Sequence, residues 1–304
     1  MGHTRGATAG AVALVLASVL WGTTGTAASF LPDDVSPLAI GASTMFFGGV
    51  LLFAVSARSA MGALRDRAAR RWILVGAAGV FVYPLAFYSA MDQAGVAVGN
   101  VVALGSSPVF AAVFEWAWER RRLSARWAAA TAIAVAGIVL LGFGRHADDA
   151  SAGSDVVAGV LLGLLAGVAY ALNTYGSSRA IAVGHSGRSV MGGMFGVGAL
   201  ALLPVLAALG APLLQSPLSV AITGYLAVGP MFAAYLLFGY GLTRMRSSMA
   251  TTVTLVEPVV ATVLAVTIVG ERLEIGGWLG LALILGGVTV LITARQTPKS
   301  RAAF

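Results

Sequence analysis

Apolar residues in this chain come in long unbroken runs, not in the two-residue alternation of half-buried strands or the stripe of a surface helix. Between joints marked by charge, Pro or Gly, such runs cover about 10–31, 37–56, 72–90, 96–118 and 126–143. A second set covers about 155–177, 189–209, 219–241, 248–269 and 276–293. Each approaches the roughly 20 residues that a helix needs to cross a hydrocarbon layer about 30 Å thick. The pattern predicts an all-α integral membrane protein with ten transmembrane helices. The first run, Ala11 to Phe30, also reads as a secretory leader, because only Arg5 precedes it and Ala27-Ala28-Ser29 resembles a cleavage site. It is longer than the roughly 7–15 apolar residues of a leader, and the internal repeat described below requires it as a helix.

Composition points the same way: 58% of residues are hydrophobic, 10% are charged and the mean hydropathy is +0.89, against roughly 25% charged residues in soluble domains. In a soluble protein the net charge of +7 would suggest a polyanionic partner. Here the charges sort by loop instead. With a cytoplasmic N-terminus, the inner segments hold Arg5; Arg58, Arg65, Arg67, Arg70 and Arg71; Arg120, Arg121, Arg122 and Arg126; Arg179 and Arg188; Arg244 and Arg246; and Arg295, Lys299 and Arg301. Of the basic residues only Arg145 and Arg272 fall outside, where Asp33, Asp34, Asp92, Asp148, Asp149, Asp155, Glu271 and Glu274 collect. One miscounted span would invert every later loop, so this sorting supports the count. It predicts a multi-pass protein of the bacterial inner membrane with both termini cytoplasmic, partnered by lipid and a small-molecule substrate and not by nucleic acid, as a monomer or homodimer. Trp72, Trp116, Trp118 and Trp127 fall near the inner boundary and Trp278 near the outer one, as interfacial anchors do.

Cysteine is absent, which removes disulfides, thiolate metal sites and a thiol nucleophile. His3, His146 and His185 lie in expected tails or loops, leaving little from which to build a zinc site or a Ser-His-Asp triad. Neither a metal nor a cofactor is expected.

An offset of 150 residues lays Pro108–Leu141 on Pro258–Leu291 and matches Pro108/Pro258, Val109/Val259, Ala111/Ala261, Val113/Val263, Arg122/Arg272, Leu123/Leu273, Ala132/Ala282, Gly137/Gly287 and Leu141/Leu291. Near the repeat starts, Leu16-Ala17-x-Val19-x-Trp21 meets Leu165-Ala166-x-Val168-x-Tyr170. Five helices per half is an odd number, so the second half must enter the membrane from the opposite side, and inverted repeats of this kind are typical of alternating-access transporters. The expected units are 1–145 and 153–304.

Several motifs resemble the EamA-type family of the drug/metabolite transporter superfamily. They are Leu20-Trp21-Gly22 on the first helix, Ser36-Pro37-Leu38 before the second, and Leu255-Val256-Glu257-Pro258 continuing through Val269-Gly270-Glu271-Arg272-Leu273 to Trp278-Leu279-Gly280. In the first half the run Trp118-Glu119-Arg120-Arg121-Arg122-Leu123 departs from the pattern, with Arg121 in place of the glutamate. The resemblance implies ten helices about a central cavity that handles amino acids, sugars, nucleotide-sugars or drug-like amphiphiles in different members.

Two carboxylates fall inside expected spans, and an ionisable group there is a functional candidate because it costs several kcal/mol to insert. Glu257 precedes Pro258, which leaves a carbonyl one turn earlier without its amide partner. It can bind an ammonium, hydrogen-bond a hydroxyl, accept a coupling proton, or simply brace the break. Glu115 lies nearer the inner boundary and reads either as a second proton-coupling candidate or as an interfacial, ion-paired residue. Helical spacing groups Trp21 with Thr24 on the first helix, Tyr170, Asn173 and Ser177 on the sixth, Asn100 with Ser107 on the fourth, and Thr254 with Glu257 on the ninth. Tyr83, Tyr88, Tyr235 and Tyr240 complete the candidate walls of a mainly apolar substrate site. Pro84, Pro204 and Pro230 are candidate pivots, and Gly159, Gly163 and Gly167 form a close-packing face for a neighbouring helix or a second copy.

No phosphate-binding Gly-x4-Gly-Lys-Ser/Thr loop occurs. The expectation is a secondary transporter exporting amino acids or related amphiphilic metabolites, with proton coupling through Glu257. An integral-membrane enzyme acting on a lipid or prenyl substrate, and an uncoupled facilitator, are the alternatives.

Overall fold

The computed structural model describes residues 2–32, 34–94, 96–120, 124–143, 156–269 and 275–293. Outside it lie His146, Arg145, the acids Asp33, Asp148, Asp149, Asp155, Glu271 and Glu274, the Arg121–Leu123 and Gly270–Leu273 stretches, and the tail with Arg295, Lys299 and Arg301. The side chains of His3, Arg5, Asp92 and Asn100 are also outside it.

The described residues are helical, with no strand among them. The first half contains α1 (Gly2–Ala28), α2 (Pro37–Arg65), α3 (Arg67–Ala94), α4 (Val96–Glu119) and α5 (Ala125–Phe143). The second contains α6 (Val156–Ala182), α7 (Gly187–Leu209), α8 (Pro217–Leu226), α9 (Ala234–Leu242), α10 (Ser247–Val253), α11 (Val256–Leu264) and α12 (Ile275–Thr293). Among the described residues, seven stretches are long and apolar enough to cross a membrane: Thr8–Ala28, Pro37–Arg65, Arg67–Ala90, Val157–Ala182, Gly187–Leu209, Pro217–Leu242 and Ser247–Ile268. Ala125–Leu140 and Ile275–Gly287 are shorter apolar helices.

Two expected helices are interrupted. A π-helical turn at Ala227–Ala233 containing Pro230 joins α8 to α9, and α10 and α11 are parted by a turn at Thr254–Leu255. Elsewhere the helices outrun the apolar stretches that predicted them. α2 continues to Arg65, and α3 begins at Arg67 after a single residue, Asp66. Hydropathy marks where lipid ends, whereas backbone hydrogen bonding continues until a cap or breaker stops it. The stops are legible: Pro37 opens α2, Ser186 caps α7 by accepting from Ser189 N–H, and Ser216 caps α8 by accepting from Ser219 N–H ahead of Pro217.

At the α2–α3 turn, Asp66 Oδ1 accepts from Ala68 N–H (2.9 Å) while Oδ2 lies 2.9 Å from His185 Nε2 in the α6–α7 turn. The His185 hydrogen bond, followed by that from Ala68, holds the Asp66 carboxyl below its ordinary value of 3.8.

In the packing, α1 lies on α9 and α11, α6 on α3 and α4, α2 on α7, and α5 on α12. The α5–α12 contact is backbone to backbone. A Cβ on Gly137 would stand 2.6 Å from Gly280 O and 2.8 Å from Ile284 N, and a Cβ on Gly287 would stand 2.6 Å from Ala130 O and 3.0 Å from Ala134 N. Gly167 similarly presses α6 onto Ala103 and Ser106 of α4, so this part of the small-residue face is used within the chain. The largest core cluster runs between α1, α2, α3, α7 and α9, with Leu14, Leu52, Ile73, Met194, Phe195 and Phe238 fully buried.

Candidate functional site

The break between α10 and α11 follows from Pro258. Proline has no N–H to offer the carbonyl four residues back, that of Thr254. Glu257 N–H takes that carbonyl instead, at 2.9 Å, in a tighter turn that sets Glu257 in the first turn of α11. The Glu257 side chain is half-buried and, among the described residues, has no hydrogen-bond or ion-pair partner. Its carboxylate interacts electrostatically with the phenols of Tyr83, Tyr88, Tyr170 and Tyr235.

Those rings belong to a continuous aromatic group drawn from four helices. Trp21 of α1 lies 4.9 Å from Tyr235 and 5.4 Å from Phe238, both of α9, and meets Tyr170 of α6 edge-on at 6.4 Å. Tyr170 lies 5.6 Å from Tyr83 of α3, which stacks on Phe87 at 5.2 Å, and Tyr88 continues the row 5.6 Å beyond. Tyr170 Oη is 3.3 Å from Thr254 Oγ1, tying the group to the helix break. Gly22, next to Trp21, lets α1 sit against α11: a Cβ there would fall 2.6 Å from Val260 Cβ and 3.0 Å from Glu257 O. The Leu20-Trp21-Gly22 motif thus places a ring and a close approach side by side.

Seven of the expected residues therefore come together: Trp21, Tyr83, Tyr88, Tyr170, Tyr235, Thr254 and Glu257. Thr24 follows Trp21 on α1, half-buried. Asn173 is buried and accepts from Ser177 Oγ (3.4 Å), and Ser107 is buried with its hydroxyl donated to Leu104 O at 3.0 Å. Tyr240 does not join the group. It is 43% exposed on the outer face of α9, with the Arg244 guanidinium 3.5 Å above its ring. Helical periodicity accounts for this, because Tyr235 and Tyr240 are five residues apart and point to opposite sides. Phe238, three residues after Tyr235, takes the inward place that was assigned to Tyr240.

Glu115 also lies elsewhere. It is buried on α4, where Oε1 accepts from Ser247 Oγ (2.6 Å) and Ser248 N–H (3.0 Å) and Oε2 from Ser248 Oγ (2.9 Å). The carboxylate caps the N-terminus of α10, where free amides and the helix dipole favour negative charge. Ser247-Ser248 at a helix start carried this signal in the sequence, but nothing local names a capping partner 133 residues away. Arg179 of α6 is likewise paired with Glu119 at the end of α4, at 3.2 Å.

Apolar helices long enough to span a bilayer, packed around an aromatic group beside a helix break, define a multi-pass membrane protein. The profile of the EamA-like transporter family matches residues 8–143 and 157–293. The chain belongs to that family of membrane transporters. It is 33% identical over 294 residues to a protein of Bacillus subtilis (strain 168) called uncharacterized transporter YwfM, covering 95% of this chain and 96% of that one. A crystal structure recorded only as that of a protein superposes with a TM-score of 0.76 at 23% identity, covering 92% of this chain and 95% of the other, a likeness of fold alone.

Proposed function

We propose that this chain is a secondary transporter with ten membrane-spanning helices in two inverted sets of five, exporting small ammonium-bearing metabolites such as amino acids in exchange for protons at Glu257. The observation that carries the reading is Glu257 itself. It is a carboxylate without a counter-charge among the described residues, set at a helix break and ringed by aromatic side chains. In a desolvated site such a group is stable either protonated or beside a cation, so proton and substrate compete for one place. Aromatic faces add cation–π attraction for an ammonium, worth about 2 kcal/mol when desolvated.

The inverted arrangement is supported by the packing. Counting α8–α9 and α10–α11 as one span each, exchanging the halves turns the α1–α9 contact into α6–α3 and the α1–α11 contact into α6–α4. It returns α2–α7 and α5–α12 to themselves. Repeat partners Gly137 and Gly287 meet repeat partners as well, since Gly280 and Ile284 stand 150 residues beyond Ala130 and Ala134. Trp21 and Tyr170, equivalent in the two halves, touch each other, as residues beside a twofold axis would. The sorting of basic residues supports cytoplasmic termini.

The test is flux in proteoliposomes. Wild-type protein under an imposed proton gradient should concentrate substrate, while Glu257→Gln should lose gradient-driven uptake. Undiminished coupling in Glu257→Gln would eliminate proton coupling at this residue. Flux that equilibrates but never concentrates substrate in the wild type would make the protein a facilitator.

A further inference from the structure

Away from the Glu257 site, a cleft of about 470 Å³ opens at the arginine-rich end of the bundle, between α3, α4 and α6. Arg71, Trp72, Trp118, Tyr175 and Arg179 supply its polar and aromatic lining, with Val75 and Leu172 on its apolar side. The polar chemistry is one-sided. Trp72 Nε1 and Arg179 Nε are both buried, and neither has a hydrogen-bond partner among the described residues. Each carries a hydrogen to donate, and an unmet buried donor is destabilising.

Charge is unbalanced there too. The guanidinium carbons of Arg71 and Arg179 stand 5.3 and 5.5 Å from the Trp72 ring centre, and among the described residues only Arg179 is paired with an acid. That acid, Glu119, bonds Arg179 Nη1 and leaves Nε aside. Its carboxylate also lies against the Tyr175 hydroxyl. Two cations and no acid in the lining, with two idle donors beside them, call for an acceptor-rich anion. The apolar side, together with Trp118 at 60% exposure, calls for a molecule with an apolar body.

We propose that this cleft binds the phosphate of an anionic phospholipid. Arg71 and Arg179 supply the counter-charge. Trp72 Nε1 and Arg179 Nε are the donors offered to the phosphate oxygens, and Val75, Leu172 and Trp118 lie along the glycerol and upper acyl chain. Free phosphate would meet the same donors but leave the apolar side uncovered. The site is independent of what Glu257 transports.

Thermal unfolding of the full chain in detergent, titrated with phosphatidylglycerol, phosphatidylcholine or inorganic phosphate, tests this. Phosphatidylglycerol should raise the melting temperature saturably, with phosphatidylcholine and inorganic phosphate having much smaller effects. The half-saturating concentration should rise about tenfold in Arg71→Gln, the loss of one charge-assisted bond. Equal stabilisation by phosphatidylcholine, an unchanged half-point in Arg71→Gln, or full stabilisation by phosphate alone would each overturn the lipid site.

Discussion

Two glutamates of similar standing in the sequence have opposite roles once their neighbours are known. Glu115 satisfies three donors at the start of α10, so Glu115→Ala strands a buried amide and two hydroxyls and should cost about 2–4 kcal/mol. Differential scanning fluorimetry in detergent should register a clear drop in melting temperature, whereas Glu257→Gln, which breaks no bond among the described residues, should melt with the wild type. A Glu115→Ala protein as stable as wild type would remove the capping role. Asp66 makes a pH prediction. Its carboxyl is held below 3.8 in the folded protein, chiefly by His185. The stabilisation is therefore complete above the unfolded value and is lost as pH falls through the lower folded one. Melting temperatures of wild type and Asp66→Asn should differ from neutral pH down to about pH 4 and converge below it; a gap that stays constant into stronger acid would contradict the contact.

At the scale of elements, the repeat makes its own forecast. Gly137 and Gly287 each face backbone atoms of the partner helix closer than any Cβ allows. Gly137→Ala and Gly287→Ala should each push α5 and α12 apart and cost about 1–3 kcal/mol. Gly286, one residue along, would meet nothing within 4 Å; Gly286→Ala should be neutral or slightly stabilising, since alanine is the better helix former. Melting curves of the three variants check the contrast, and equal behaviour of Gly286→Ala and Gly287→Ala would refute the close contact. The Gly137/Gly287 match was visible in the sequence as a repeat, but not the helix each glycine faces. Breaks were legible where proline makes them, as at Pro258. The π turn around Pro230 was not, because local hydrogen-bond slippage leaves no mark in hydropathy.

For the whole molecule, orientation is the property most open to direct measurement. The chain has no cysteine, so single introduced thiols report sidedness without background. With both termini cytoplasmic, Arg67→Cys at the start of α3 should react with an impermeant maleimide only after the cells are opened. Gln215→Cys between α7 and α8 should react in intact cells. The reverse pattern would invert the proposed topology and place the arginine-rich turns outside.

Hydropathy, charge placement and the 150-residue offset determined by themselves that this is a helical membrane protein of two related halves. Each of those signals is local or periodic and survives without knowledge of any contact. The aromatic members of the site were also legible, since Trp21, Tyr170 and Tyr235 lie in apolar spans where a polar-tipped ring is conspicuous. Only tertiary structure decided that Phe238 and not Tyr240 faces inward, that Glu115 is consumed by a helix start 133 residues away, and that Trp72, Tyr175 and Arg179 share a cleft. A side chain's role is set by what stands opposite it, and in a helical bundle that neighbour comes from a distant part of the chain, through packing angles and helix rotations that no single segment encodes.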